Sequence, residues 1–151
     1  VKTPQEKVIY NLPYPGLLPD NPLYITKVVR DKITDFLTRD NLKKAELYLL
    51  YSDKRVSMSL VLASKGKNQL AIDTFVKGEK YFLKIPGLLI SAKKQGAQAP
   101  SSFVETLKQS NAKHRELIEE LIKTLPQGLN QSLTQLSYLN QQIRREIESL
   151  P

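Results

Sequence analysis

The placement of proline divides this 151-residue chain more sharply than any other pattern. Five of the nine prolines fall within the first 22 residues, and the others stand alone at positions 86, 100, 126 and 151. Proline fixes φ, lacks an amide donor and biases the preceding residue away from the helical region, so a proline-dense segment does not form a regular helix. We therefore expect an extended arm over residues 1–21, followed by one folded domain over residues 22–151.

The arm has two interpretations. Its apolar side chains favour an arm that lies against the folded domain; they are Tyr10, Leu12, Tyr14, Leu17 and Leu18. The alternative is a flexible tether to a segment upstream. The sequence starts at Val1 and its only methionine is Met58, so we expect either a mature form from which an export signal has been removed or a trimmed chain.

Beyond the arm, apolar residues recur every three or four positions, which is the period of an amphipathic helix. Breakers and capping residues bound five predicted helices. Four of them cover residues 22–38, 40–66, 102–126 and 129–150. The third in chain order runs from residue 68 to a loop at 96–100, with a kink or break at Pro86. Ser102 and Glu105 form a capping-box pattern at the start of the fourth. No segment requires a sheet, so we predict an all-α fold, a five-helix antiparallel bundle behind the proline-rich arm.

Two short motifs resemble a known family. The run from Pro15 to Lys27, PGLLPDNPLYITK, and the later KKAEL at residues 43–47 resemble an uncharacterised helical domain family of secreted or membrane-anchored bacterial and archaeal proteins. The shared pattern is a proline-glycine turn, a second proline, Pro-Leu-Tyr and a lysine three residues later. The resemblance implies export and a helical fold, and it implies no catalytic residues because the family has no established activity.

The composition removes most enzyme classes. The chain has no cysteine, and His114 is its only histidine, so thiolate sites and two-histidine mechanisms are excluded. The glycines do not cluster into a phosphate-binding loop. His114 is in phase with the apolar residues of its helix, which favours a core histidine over a catalytic base or metal ligand. We expect a protein that is not an enzyme and that needs no cofactor or metal.

Positive charge is concentrated in the middle of the chain. Residues 41–95 hold eleven basic and four acidic residues, and therefore seven of the eight net charges. Spacings of three, four and eleven place basic residues on shared helix faces. The predicted polyanion-binding residues are Lys43, Lys44, Lys54, Arg55, Lys65, Lys77, Lys80 and Lys84. An anionic membrane surface or envelope polymer suits them, while nucleic acid is disfavoured because no nucleic-acid-binding pattern accompanies them. The alternative is a solvated face that maintains solubility.

The last predicted helix carries an apolar seam in steps of three and four. Its members are Leu133, Leu136, Asn140, Ile143 and Ile147. Such a seam is typical of pairing with another helix, here from an envelope protein or a second copy of the chain, and Asn140 would fix the register. An intramolecular partner for Asn140, such as Asn111 or His114, is the simpler alternative. The sequence thus predicts a secreted or cell-envelope helical binding or structural module, with polyanion binding as the alternative function.

Overall fold

A computed structural model describes residues 7–37 and 39–151 of the chain. These residues form α-helices, one short 3-10 turn and no strand, which confirms the all-α prediction. The helices are α1 (Tyr24–Leu37), α2 (Asn41–Ser64), α3 (Asn68–Leu83), α4 (Ile85–Lys94), α5 (Ser101–Thr124) and α6 (Asn130–Glu148). Residues 1–6 of the predicted arm and Thr38, the predicted end of the first helix, lie outside the described residues. No described helix is long and apolar enough to cross a membrane.

The limits of α2 follow from the local sequence. The carboxylate of Asp40 accepts the backbone N–H groups of Leu42 and Lys43 at 2.9 and 3.1 Å, which satisfies two of the free donors at the start of the helix. At the other end Gly66 adopts a φ of +76°, and the Lys67 N–H donates to the Leu62 carbonyl at 3.0 Å. This pattern is a Schellman stop, which requires a residue that tolerates a left-handed backbone.

The third predicted helix is two helices in the structure. α3 ends at Leu83 and α4 begins at Ile85, because Pro86 has no N–H to continue the ladder of hydrogen bonds. The predicted capping box at the next helix is wrong. α5 begins at Ser101, so Ser102 lies inside the helix, and no side chain caps this end.

The interior contains two hydrophobic clusters. The first cluster includes Leu49, Phe82, Leu107 and Ile143. The second cluster includes Val56, Phe75, Ile118 and Leu136. The helices α2, α3, α5 and α6 contribute to both clusters, and α4 contributes Ile85 and Leu89 to the first.

α2 and α3 approach each other closely at Gly78. A Cβ at this position would lie 3.0 Å from the carbonyl oxygen of Ser52 and 3.1 Å from the Cβ of Arg55. Contacts this short are tighter than nearly all Cβ contacts in proteins, so a side chain here would push the two backbones apart by a few tenths of an ångström and glycine favours their close approach.

Residues 7–23 form neither helix nor strand, and they contact the helices. The Val8 N–H donates to a carboxylate oxygen of Glu116 on α5 at 2.6 Å. Lys65 and Lys67, in the connection between α2 and α3, form ion pairs with Asp20 at 3.3 and 2.7 Å. Leu12 packs on the second cluster. This segment is therefore attached to the helical body at several separate points.

Candidate functional site

A layer of polar side chains crosses the interior between the two hydrophobic clusters. Asp53 on α2, Glu79 on α3, His114 on α5 and Asn140 on α6 each lie between a residue of one cluster and a residue of the other along their helix. All four are buried, and Glu79, His114 and Asn140 have no solvent exposure. Buried polar groups of this kind are costly unless they bond to one another, so their partners determine what the layer does.

His114 bonds to both carboxylates. Its Nε2 lies 2.8 Å from Oδ1 of Asp53, and its Nδ1 hydrogen-bonds to Oε1 of Glu79. An imidazolium donates from both ring nitrogens, so this form of the ring satisfies two carboxylate acceptors at once. Burial by itself would lower the pKa of His114, but the charges and hydrogen bonds of Glu79 and Asp53 raise this pKa to about 9. The core therefore holds a histidine cation at neutral pH.

Amide groups extend the network toward α6. The Asn140 side-chain N–H donates to Oε2 of Glu79 at 3.0 Å and to the backbone carbonyl of Asn111 at 3.2 Å. Asn111 returns a hydrogen bond to the carbonyl of Asn140 at 3.2 Å. Arg115 donates to the side-chain oxygens of both asparagines. The partner of Asn140 thus lies within the same chain.

Ser110, His114 and Glu79 have the residue types of a hydrolase triad, and Oγ of Ser110 lies 3.4 Å from Nε2 of His114, but its hydroxyl bonds to a different group. The hydroxyl of Ser110 donates to Oδ1 of Asp53 at 2.7 Å, and that same oxygen accepts from Nε2 of His114. Ser110 and His114 are fully buried, so a substrate would have to open the core to reach them. As it stands, the arrangement cross-links four helices and presents no reactive group to solvent.

The segment before α1 closes the network. The hydroxyl of Tyr10 donates to Oδ2 of Asp53. Burial and then the charge and hydrogen bond of Asp53 raise the pKa of Tyr10 far above its usual range. Among the described residues, no group of three His, Cys, Asp or Glu side chains is arranged to hold a metal ion.

The structure separates the predicted polyanion-binding residues. Lys43, Lys65, Lys77, Lys80 and Lys84 are exposed, Lys44 and Lys54 are half-buried, and Arg55 is buried.

Arg55, Lys44 and Lys65 each have a partner within the chain. The Arg55 guanidinium lies 4.7 Å from the centroid of the Tyr81 ring, so this residue packs against an aromatic ring instead of facing solvent. Lys44 pairs with Asp35 at 3.3 Å, and Lys65 pairs with Asp20. Arg55 is therefore not part of an exposed basic face, contrary to the prediction, because α3 covers it.

The remaining exposed lysines form no ion pair within the described part of the chain. Lys77, Lys80 and Lys84 follow the spacing of one helix face, and we call them the α3 lysines. The Nζ of Lys84 lies 5.7 Å from the centroid of the Tyr81 ring. Among the predicted polyanion-binding residues, Lys43 is the other exposed one without such a pair.

The predicted seam of the last helix is inside the core. Its five members, Leu133, Leu136, Asn140, Ile143 and Ile147, are at most 2% exposed. The seam packs on α3 and α5, with two leucines in the second cluster and two isoleucines in the first. These side chains are therefore not available to a partner while the chain is folded, which corrects their prediction as an interaction surface.

Sequence reasoning missed an outward-facing apolar stripe on α1. Ile25, Val29 and Ile33 are 70%, 52% and 55% exposed, while Asp31 on the same helix is buried. The spacing of four was visible in the sequence, but it would have predicted a buried face.

A groove also lies between α1 and the chain before it. Lys27, Arg30 and Lys54 line a cavity of about 440 Å³ together with Gly16 and Leu17. Lys54 was predicted as a polyanion-binding residue, whereas Lys27 and Arg30 were not.

Comparison with known proteins gives one match. A family model described as a domain of unknown function, DUF5667, matches residues 16–150. No curated protein and no solved structure matches the chain. The matched span runs from Gly16 through all of α6, so it includes the groove, the polar layer and both hydrophobic clusters. The chain therefore belongs to the DUF5667 family of uncharacterised domains.

Proposed function

We propose that this protein is a non-catalytic helical binding module that works outside the cytoplasm, in the cell envelope or the extracellular space. The observation that carries the proposal is the sealed polar layer. The only histidine and its two carboxylate partners are used inside the core, while the exposed surface offers lysines and aliphatic side chains. Export is supported by the resemblance of residues 15–27 to exported proteins.

Two measurements test this proposal. Wild type and a Ser110→Ala variant are incubated with ester, amide and phosphoester substrates, and neither should exceed the rate in buffer because Ser110 is inaccessible. Turnover by the wild type that the variant lacks would show a catalytic role. Fractionation of the cells that make the protein should then place it in the envelope or the medium, and recovery in the cytoplasm alone contradicts the proposed location.

We also propose that the helices of each chain-adjacent pair, α2 with α3 and α5 with α6, run antiparallel to each other. Along α2 and α5 the first cluster comes before the polar layer and the second cluster after it, whereas along α3 and α6 the order is reversed. The α2 to α3 connection is only three residues, 65–67, and short connections favour antiparallel neighbours. Both observations support an alternating up-and-down arrangement.

A second candidate function is polyanion binding through the α3 lysines. They are exposed and have no ion-pair partner in the described structure, so an anionic polymer would not have to displace a carboxylate. Binding would release counterions from the polymer, and its affinity should fall steeply between about 50 and 200 mM salt.

The test is retention of the protein on immobilised polyphosphate. Lys77→Glu/Lys80→Glu/Lys84→Glu should elute at much lower salt than the wild type. The matched control Lys93→Glu/Lys94→Glu/Lys108→Glu changes the net charge by the same amount at other exposed positions. If both variants elute at the same reduced salt concentration, retention depends on net charge alone, and the α3 lysines are not a binding site.

A further inference from the structure

The outer face of α1 is apolar. Ile25, Val29 and Ile33 are spaced by four, lie on one face and are more than half exposed; we call them the α1 stripe. The two aspartates of α1 face inward instead: Asp31 is buried, and Asp35 accepts the hydroxyl of Tyr48 at 2.6 Å. A helix that packs on a hydrophobic core buries its apolar face and exposes its polar face. The exposed apolar stripe of α1 therefore indicates contact with something outside the chain.

Cations flank the α1 stripe on both sides. Arg30 follows Val29 and Lys32 precedes Ile33, so the helical period places these two exposed residues on opposite sides of the stripe. Lys27 and Lys54 join Arg30 in the groove of about 440 Å³. Burial, and then the positive charge of Lys54, lowers the pKa of Lys27, although Asp31 opposes this effect. An anion in the groove would relieve the crowding of these cations.

The Pro-Gly turn and the lysine that follows it build this groove together. Nζ of Lys27 donates to the carbonyl of Pro15 at 2.9 Å. Gly16 has a φ of +72°, and a Cβ there would lie 3.2 Å from the same Nζ. An ammonium group has three donors, so Lys27 retains two for a ligand. The sequence motif therefore has a physical role in shaping a cationic groove beside the stripe.

We propose that α1 and the adjoining groove bind the surface of an anionic phospholipid bilayer. Lys27, Arg30 and Lys54 contact the headgroup phosphates, and the α1 stripe enters the outer part of the acyl region. An apolar stripe flanked by cations is the pattern of a helix that lies in a membrane interface. The surface of three aliphatic side chains is much smaller than the roughly 800 Å² that each partner buries in a stable protein interface. A bilayer therefore suits this stripe better than a protein partner does. The inference rests on the proposed binding function and names its partner.

The main test is co-sedimentation of the full chain with vesicles of phosphatidylcholine alone or mixed with phosphatidylglycerol. The wild type should sediment with the anionic vesicles and not with the neutral ones. Ile25→Ser/Val29→Ser/Ile33→Ser should reduce that binding about tenfold or more, because the burial of apolar side chains is lost. The matched control Ile90→Ser/Ile122→Ser removes exposed isoleucines elsewhere and should bind as the wild type does.

A fluorescent probe separates insertion from adhesion. The chain has no tryptophan, so Val29→Trp reports on one position alone. Its emission should shift to shorter wavelength with anionic vesicles, and a Tyr138→Trp control should not shift. Far-ultraviolet circular dichroism of each variant in buffer establishes that the helices are intact. An unshifted Val29→Trp spectrum on sedimenting vesicles would overturn the insertion.

Charge variants identify the source of the phosphate. Arg30→Gln/Lys54→Gln should weaken vesicle binding more than Lys77→Gln/Lys80→Gln does. Inorganic phosphate at constant ionic strength should not displace the vesicles; displacement would assign the groove to a soluble phosphate compound instead of a lipid. Absence of vesicle binding by a wild type that still binds polyphosphate overturns this inference and leaves the polyanion function, which depends on the α3 lysines.

Discussion

At the scale of single residues, His114 is the most constrained side chain. It is a buried cation between Asp53 and Glu79, and each member of this trio belongs to a different helix. The desolvation of the three groups is unfavourable, and their mutual charges offset it together with hydrogen bonds from Tyr10, Ser110 and Asn140. Loss of His114 therefore leaves both carboxylates without their charge partner.

We expect His114→Ala to lower the free energy of unfolding by about 3–5 kcal/mol, because two carboxylates would then remain buried without a cation. Urea denaturation measures this change. Lys108→Ala is the control on the same helix, and as an exposed substitution it should stay within about 0.5 kcal/mol of the wild type. A loss below about 1 kcal/mol for His114→Ala would mean that the trio is not ionised as described.

At the scale of elements, contacts between helices outweigh local preference. Gly78 lies inside α3, where glycine is intrinsically unfavourable by about 1 kcal/mol relative to alanine. It is tolerated because the backbone of α2 occupies the space of a side chain. A methyl group added at Gly87, in α4, would meet nothing within 4 Å beyond its own helix and its chain neighbours, so no such constraint applies there.

We expect the two glycines to respond oppositely to alanine. Gly78→Ala should destabilise the fold by about 1–3 kcal/mol, since the new methyl group meets the Ser52 carbonyl, which cannot rotate away. Gly87→Ala should leave stability unchanged or raise it by up to about 1 kcal/mol. Thermal or urea unfolding of both variants measures the difference, and stabilisation by Gly78→Ala would contradict the close approach.

At the scale of the whole molecule, the polar layer makes stability depend on pH. The folded pKa of His114 is about 9 and the ordinary value is 6.5. Below pH 6.5 both the folded and the unfolded chain bind the proton, so the full stabilisation is present. Between the two values the unfolded chain loses the proton first, and stability falls as the pH rises through the folded pKa.

We expect the free energy of unfolding to decrease by about 3 kcal/mol between pH 6 and pH 9.5 through His114. Each unit by which folding raises the pKa of this group corresponds to about 1.4 kcal/mol. Urea denaturation across that range measures the decrease, and a His114→Asn variant should lose most of the pH dependence. Because His114 is the only histidine, its ring protons in NMR spectra also report its pKa directly. A titration midpoint near pH 6.5 for these ring protons would contradict the raised pKa of His114.

The sequence by itself determined which segments are helical and where several of them end. Asp40, Gly66 and Pro86 act within a few residues of themselves, through a cap, a left-handed stop and a missing donor, so their effects are readable without the fold. The burial of His114 was also predictable, because its position follows the apolar period of α5.

Only the tertiary structure decided which faces are covered. Periodicity marks an apolar face on α1 and on α6 alike, yet the α6 seam is buried while the α1 stripe faces solvent. Arg55 is enclosed and Lys77 is exposed although both belong to the same basic region. The trio of Asp53, Glu79 and His114 spans 61 positions of sequence, and no local pattern links them. Burial and pairing depend on which helices meet, and that depends on the packing of the whole chain.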